Sequence, residues 1–265
     1  MKIALSGRLW ETPQGPSQNL QQQIEAAAAL GYEGFEIRYP LLPPKSEWKQ
    51  TRDLLARHNM QHVFSAAGGT PSTPDKRNDF IRVLDTAAFL GAKFIKQIPR
   101  DDESEIEAMR VAADLGAERG IKIVTQYHNN SLTDTVEKTE RFFEKLDHPN
   151  VGIIFDACHI PFSESPVLSI EEVATRLRPW IDLANLQTYK PSVEGDDLKH
   201  TKIGDHEWSL ALPDEPNSTD LRATLGVLQA QNYDGWLMVM PAVDPSQTPL
   251  EVAKSYRDFL LPLVR

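Results

Sequence analysis

Short apolar runs rich in Val, Ile and Phe alternate with longer stretches of helical periodicity from one end of the chain to the other. The runs KIALS (2–6), GFEIR (34–38), HVFSA (62–66), KFIKQI (93–98), KIVTQ (122–126), GIIFD (152–156), DLANLQ (182–187) and GWLMVM (235–240) predict eight β-strands. Amphipathic helices are predicted over 17–30, 45–58, 75–90, 102–119, 132–146, 169–178, 218–231 and 248–260. Ser17, Thr133 and Ser169 stand where helix caps are expected, and Gly31, Gly91 and Gly120 where helices stop. Eight β-then-α units with no break in composition predict an α/β fold, a single (β/α)8 TIM barrel over residues 1–265.

The phrases ALGYEGFEI, FLGAKFIKQ and QNYDGWLMV each repeat the order helix end, turn, buried strand, and so mark strand entrances. Segment 191–217 is too polar and Pro-rich for core and reads as one long loop after the seventh strand, on the face where such barrels keep their active sites.

At 265 residues, with 40% hydrophobic and 25% charged positions, the composition is that of an ordinary globular protein. The net charge of −10 and the lack of a basic stripe argue against a nucleic-acid partner. No run reaches the roughly 20 apolar residues that span a bilayer. Cys158 is the single cysteine, which excludes an intrachain disulfide and makes a reducing cytoplasm the expected compartment. Its neighbours give no case for a nucleophile, so it reads as a small buried residue.

Barrel chemistry comes from the carboxyl ends of strands. Those ends carry Ser6 and Arg8, Glu36 and Arg38, Lys96 and Gln97, Gln126 and His128, Asp156 and His159, Asn185, Gln187 and Tyr189, and Met240: a polar ring with one apolar member. Glu36 and Arg38, two apart on one strand, are either substrate groups or a structural ion pair. Lys96 is either a substrate group at the mouth or lies out of register. His128 reads equally as a site residue and as a histidine held by a nearby carbonyl. His206 and Glu207 in GDHEW could reach the mouth from the long loop, or lie in solvent.

The stretches GYEGFEIR, IKIVTQYHNNSLTDT, HPNVGIIFDACHI, KIGDHEW and NYDGWLMVM resemble the xylose isomerase-like TIM barrel family of sugar (phosphate) isomerases and epimerases, over essentially the whole chain. The resemblance implies a carbohydrate substrate and a homo-oligomer. It also implies a divalent metal, Mn or Mg, held by carboxylate, carboxylate, His and carboxylate at the last four strands, with two glutamates moving a proton. Carried over by position, Asp156 matches the aspartate ligand, His159 the histidine that contacts substrate, and His128 the histidine of the family's Glu-x-His strand end. Gln126, Gln187 and Met240 occupy the other three ligand positions. An amide is neutral and no base near pH 7, and a thioether is a poor ligand for hard cations. The expected function is a sugar isomerase or epimerase with Asp156, His159 and His128 catalytic and with Glu36, Arg38, Lys96, Gln126 and Gln187 binding substrate. A barrel that only binds a sugar or protein, and a metal-free sugar lyase or hydrolase, are the alternatives.

Overall fold

The computed structural model describes residues 1–193, 199–203, 206–243 and 247–264. Its main sheet has nine parallel segments, two of which are halves of one predicted strand. In chain order the barrel strands are β1 (Lys2–Ser6), β2 (Gly34–Glu36), β3 (Gln61–His62 continued by Phe64–Ala66), β4 (Phe94–Lys96), β5 (Lys122–Gln126), β6 (Val151–Asp156), β7 (Ile181–Leu186) and β8 (Trp236–Val239). The first half of β3 pairs with β2 (Phe35↔His62) and the second with β4 (Phe64↔Phe94), so a bend at Val63 carries the chain from one neighbour to the other. Strand β1 pairs with β8 and β2, which closes the circuit.

The strands are buried on both faces, as a parallel sheet wrapped by helices requires. Inside, Ala4, Val63, Phe64, Val124, Ile154, Leu183, Met238 and Met240 fill the barrel as one apolar cluster. Outside, the strands pack against α1 (Leu20–Ala29), α2 (Trp48–Arg57), α3 (Pro74–Phe89), α4 (Glu105–Ala117), α5 (Val136–Leu146), α6 (Ile170–Leu177), α7 (Leu221–Ala230) and α8 (Pro249–Leu260). Gly34 marks a tight approach inside the barrel: a Cβ there would stand 2.6 Å from Val63 and 2.7 Å from Trp236.

Helix boundaries follow local hydrogen bonding. Ser169 caps α6 as expected, but α1 is capped by Asn19 in a capping box with Gln22, and α5 by Thr135. Ser17 and Thr133 are spent elsewhere: Ser17 Oγ donates to the Trp10 carbonyl and Thr133 Oγ1 to the Gln126 carbonyl at 2.7 Å. Thr133 therefore anchors the end of β5.

Segment 191–217 differs from the expected loop. Tyr189–Pro191, Lys199–Ile203 and His206–Leu210 form an antiparallel three-stranded sheet, with His206–Leu210 in the middle. Along the middle strand Glu207 is exposed and Ser209 and Leu210 are buried, so the strand runs from solvent into the protein. Leu210 packs with Cys158 and Tyr189, and Trp208 meets Phe162 at 4.5 Å, which docks this sheet beside the barrel mouth. Among the described residues no helix is long and apolar enough to cross a membrane.

Candidate active site

Side chains alternate along a strand, so the apolar interior layer is followed, two residues on, by the layer that faces the mouth. That step takes Ala4 to Ser6, Gly34 to Glu36, Val124 to Gln126, Ile154 to Asp156 and Leu183 to Asn185. On β4 it selects Lys96, whose neighbour Gln97 turns away and bonds the backbone of Gly69 and Thr70. Gln187 and Met240 extend β7 and β8 by one step. Together with Arg8, Arg38, Ile98, His128, His159 and Tyr189, the residues Lys96, Gln126, Gln187 and Met240 line a cavity of about 260 Å³. A larger cavity, about 400 Å³ and more apolar, lies beside it under the antiparallel sheet, with Tyr189 in both walls.

Asp156 is fully buried at the centre of this arrangement. Its Oδ2 accepts from Gln126 Nε2 at 2.7 Å, Gln187 Nε2 at 2.7 Å and Asn185 Nδ2 at 3.2 Å. Asn185 is its register partner on β7. Burial raises the Asp156 carboxyl above its usual range, against the lowering effect of Cys158, Asn185, Gln187 and Gln126. His159, on the 3-10 turn after β6, sets Nε2 3.8 Å from Asp156 Oδ2, and its buried Nδ1 has no partner among the described residues. The His128 ring lies 4.3 Å from that of His159 between centroids. His128 Nδ1 meets the Asn129 carbonyl at 2.8 Å, so Nδ1 carries the proton and Nε2 holds the lone pair. Burial lowers both histidines below their usual value, His159 far below, and the charges of Arg8 and Lys96 add to the effect. Both rings are neutral near pH 7.

The cations divide into two kinds. Arg38 is held by Glu11 at 2.7 Å and by the buried Glu36 at 3.1 Å. Glu36 also takes the Ser6 hydroxyl. Burial alone would raise the Glu36 carboxyl, but Arg38, Lys96 and Ser6 together bring it below the usual range. Of the two readings open for these residues, the structure shows the ion pair, placed at the mouth. Among the described residues Lys96 and Arg8 make no such pair: Lys96 Nζ lies 3.8 Å from the Met240 sulfur, and Arg8 donates to Gln187 Oε1 at 2.8 Å and the Met240 carbonyl at 3.3 Å. Burial pushes Lys96 down to about 8.

This donor set does not fit the divalent cation that the sequence resemblance implies. The amide nitrogens of Gln126 and Gln187 face the Asp156 carboxylate, the Gln187 oxygen is taken by Arg8, and Met240 offers sulfur beneath an ammonium. Asp156, Cys158 and His159 do bring ligand atoms within 4.8 Å of one another. Burial and the neighbouring Asp156 charge hold the Cys158 thiol well above its usual value, so the metal-free site keeps it protonated.

Of the expected site residues, Arg38, Lys96, Gln126, His128, His159, Gln187 and Met240 line this cavity, Asp156 and Glu36 are buried against them, and three more residues join the set. Arg8 and Asn185 stood in the polar ring without an assigned role, and Tyr189 donates a wall to both cavities. Their roles depend on partners far away in sequence, Arg8 to Gln187 and Met240 above all. The His206 side chain lies outside the described residues.

A family model described as xylose isomerase-like TIM barrel matches residues 24–261. The inosose dehydratase of Clostridium botulinum (strain Alaska E43 / Type E3) is 25% identical, over 93% of this chain and 90% of its own. Among solved structures, a probable 3-DHS dehydratase involved in petrobactin synthesis from Bacillus anthracis superposes with a TM-score of 0.77 at 15% identity, covering 98% of each chain. A D-psicose 3-epimerase, solved in the presence of D-fructose, superposes with a TM-score of 0.75 at 16% identity, covering 100% of this chain and 99% of its own.

Proposed function

Since this chain belongs to the xylose isomerase-like TIM barrel family, we propose that it is a carbohydrate-processing enzyme that removes a proton next to a carbonyl, using histidine and lysine where its relatives' ligand positions would call for a metal. One observation carries the reading: His159, His128, Lys96 and Arg8 converge on a single cavity around the buried Asp156. Dehydration beside a ketone and epimerisation beside a ketone share their first step, the loss of an α-proton, and the names of the similar proteins include both kinds of reaction.

In this reading His159 is the base. Asp156 Oδ2, 3.8 Å from Nε2, stabilises the imidazolium as it forms. Lys96, largely protonated at pH 7, donates to the carbonyl oxygen as it becomes an enolate, with Arg8 beside it. The His159 imidazolium then gives its proton back, while His128, its tautomer fixed by Asn129, presents the Nε2 lone pair as a second acceptor. Return to carbon gives isomerisation or epimerisation, and transfer to a departing hydroxyl gives dehydration. Gln126, Asn185 and Gln187 hold Asp156 in place and present the remaining amide groups to sugar hydroxyls.

The test is deuterium wash-in. Purified protein is incubated in D2O with inosose and with a panel of ketohexoses, and the C–H signals beside the ketone are followed by proton NMR. Catalysed loss of an α-proton signal is the expected result. No exchange in any keto sugar would refute the reading and favour a barrel that binds without reacting.

A further inference from the structure

Among the described residues, two cations at the mouth have no carboxylate within ion-pair distance, and both touch the same residue. Lys96 is 8% exposed. Around its ammonium the described residues supply the Met240 sulfur at 3.8 Å and the face of Phe64 at 5.7 Å, neither a strong acceptor. A buried ammonium with no hydrogen-bonded counter-charge is costly, so a chain that keeps one has a use for it. Among the described residues Arg8 donates to neutral partners: the Gln187 amide oxygen, the Met240 carbonyl and, at 3.5 Å, the Tyr189 hydroxyl. The carboxylates nearby are engaged otherwise. Glu36 and Glu11 pair directly with Arg38, and Asp156 spends Oδ2 on three amides, so Glu36 and Asp156 act on Lys96 only through space.

We infer that the ligand of this pocket carries a negatively charged group, a carboxylate or a phosphate, held jointly by Lys96 and Arg8 above Met240. The inference rests on the reading of this cavity as the substrate site and adds the substrate's charge class: a sugar acid or sugar phosphate in place of a neutral sugar. Arg8 offers a planar fork and Lys96 a point charge with three N–H donors, so Lys96 can share the anion with Arg8 and keep a donor for the forming enolate. The neutral state of His128 and His159 leaves the two cations as the pocket's charged donors to an oxyanion. The position that would hold the last carboxylate of a metal site is thus the floor of an anion site.

The experiment uses the full chain, with binding followed by calorimetry and thermal shift. The probes are inorganic phosphate, D-gluconate and, as a neutral match, D-glucose. Gluconate or phosphate is expected to bind at least ~10-fold tighter than glucose, and the stronger of the two identifies the group. Lys96→Met and Arg8→Met should each weaken that binding by roughly 10- to 100-fold. Lys96→Arg, which keeps the charge, should retain most of it, and surface Lys49→Met should leave it unchanged. Cooperative melting of each variant establishes that it folds. The inference is overturned if neither anion binds more tightly than glucose, or if Lys96→Met binds them as the parent does. Failure here is distinct from failure of the reaction: α-proton exchange on a neutral ketose without anion binding overturns the charge class alone, and anion binding without exchange overturns the reaction alone.

Discussion

Lys96→Met exchanges an ammonium for a thioether of similar length at a position that is 8% exposed. Burial lowers the Lys96 pKa from 10.5 to about 8 despite the raising influence of Glu36 and Asp156, with Arg38 and Arg8 opposing them. At 1.36 kcal/mol per unit, the charged form is disfavoured by ~3 kcal/mol on folding. The folded chain binds fewer protons than the unfolded chain between about pH 8 and 10.5, so stability rises with pH through that window and the penalty is full only below it. Methionine has no such penalty. Lys96→Met should therefore be more stable than the parent by roughly 2 to 3 kcal/mol at pH 6.5, and the gap should shrink by about 2 kcal/mol by pH 9.5. Urea denaturation of both proteins at several pH values measures it. A variant that is less stable than the parent, or a gap that does not change with pH, would show that the ammonium is satisfied in the folded chain and would remove the ground for an anion site.

Three other outcomes follow from the same geometry. His159→Gln keeps a polar side chain of similar reach but no base, and should slow deuterium wash-in by ~100-fold or more with little change in melting temperature. The triple variant Gln126→Glu, Gln187→His, Met240→Glu restores a hard-donor set around Asp156 and should gain a Mn-dependent thermal shift that the parent lacks; a parent shifted as strongly would contradict the donor argument. Gly34→Ala would press a methyl against Val63 and Trp236 in the barrel interior, and should lower stability by roughly 1 to 3 kcal/mol in denaturant titrations.

The parts of this molecule that could be read from sequence are those set by local periodicity. Each predicted strand has a counterpart, because a strand buried on both faces writes itself as an apolar run. The inward alternation then fixes which strand-end residue faces the mouth, which is why Asp156, Gln126 and Lys96 lie where their spacing placed them. Helix starts were less legible: Thr133 and Thr135 are equally good caps in sequence, and only the bond from Thr133 to the Gln126 carbonyl separates them. The antiparallel sheet within 189–210 was hidden by its polarity, since the alternation in HEWSL is short and sits among Pro, Gly and Asp. Arg8 could be seen at a strand end but not given a role. Its function as a cation without a carboxylate depends on Gln187 and Met240, 179 and 232 residues away, and on Glu11 having chosen Arg38 instead.

The central claim, that this mouth removes an α-proton with its own histidines and lysine, is tested most directly by wash-in on one exchanging keto sugar in the presence of EDTA and again with added Mn. The account predicts that exchange persists in EDTA, is unchanged by Mn, and falls by ~100-fold or more in His159→Gln. Exchange that requires Mn, or that runs at the parent's rate in His159→Gln, would contradict it.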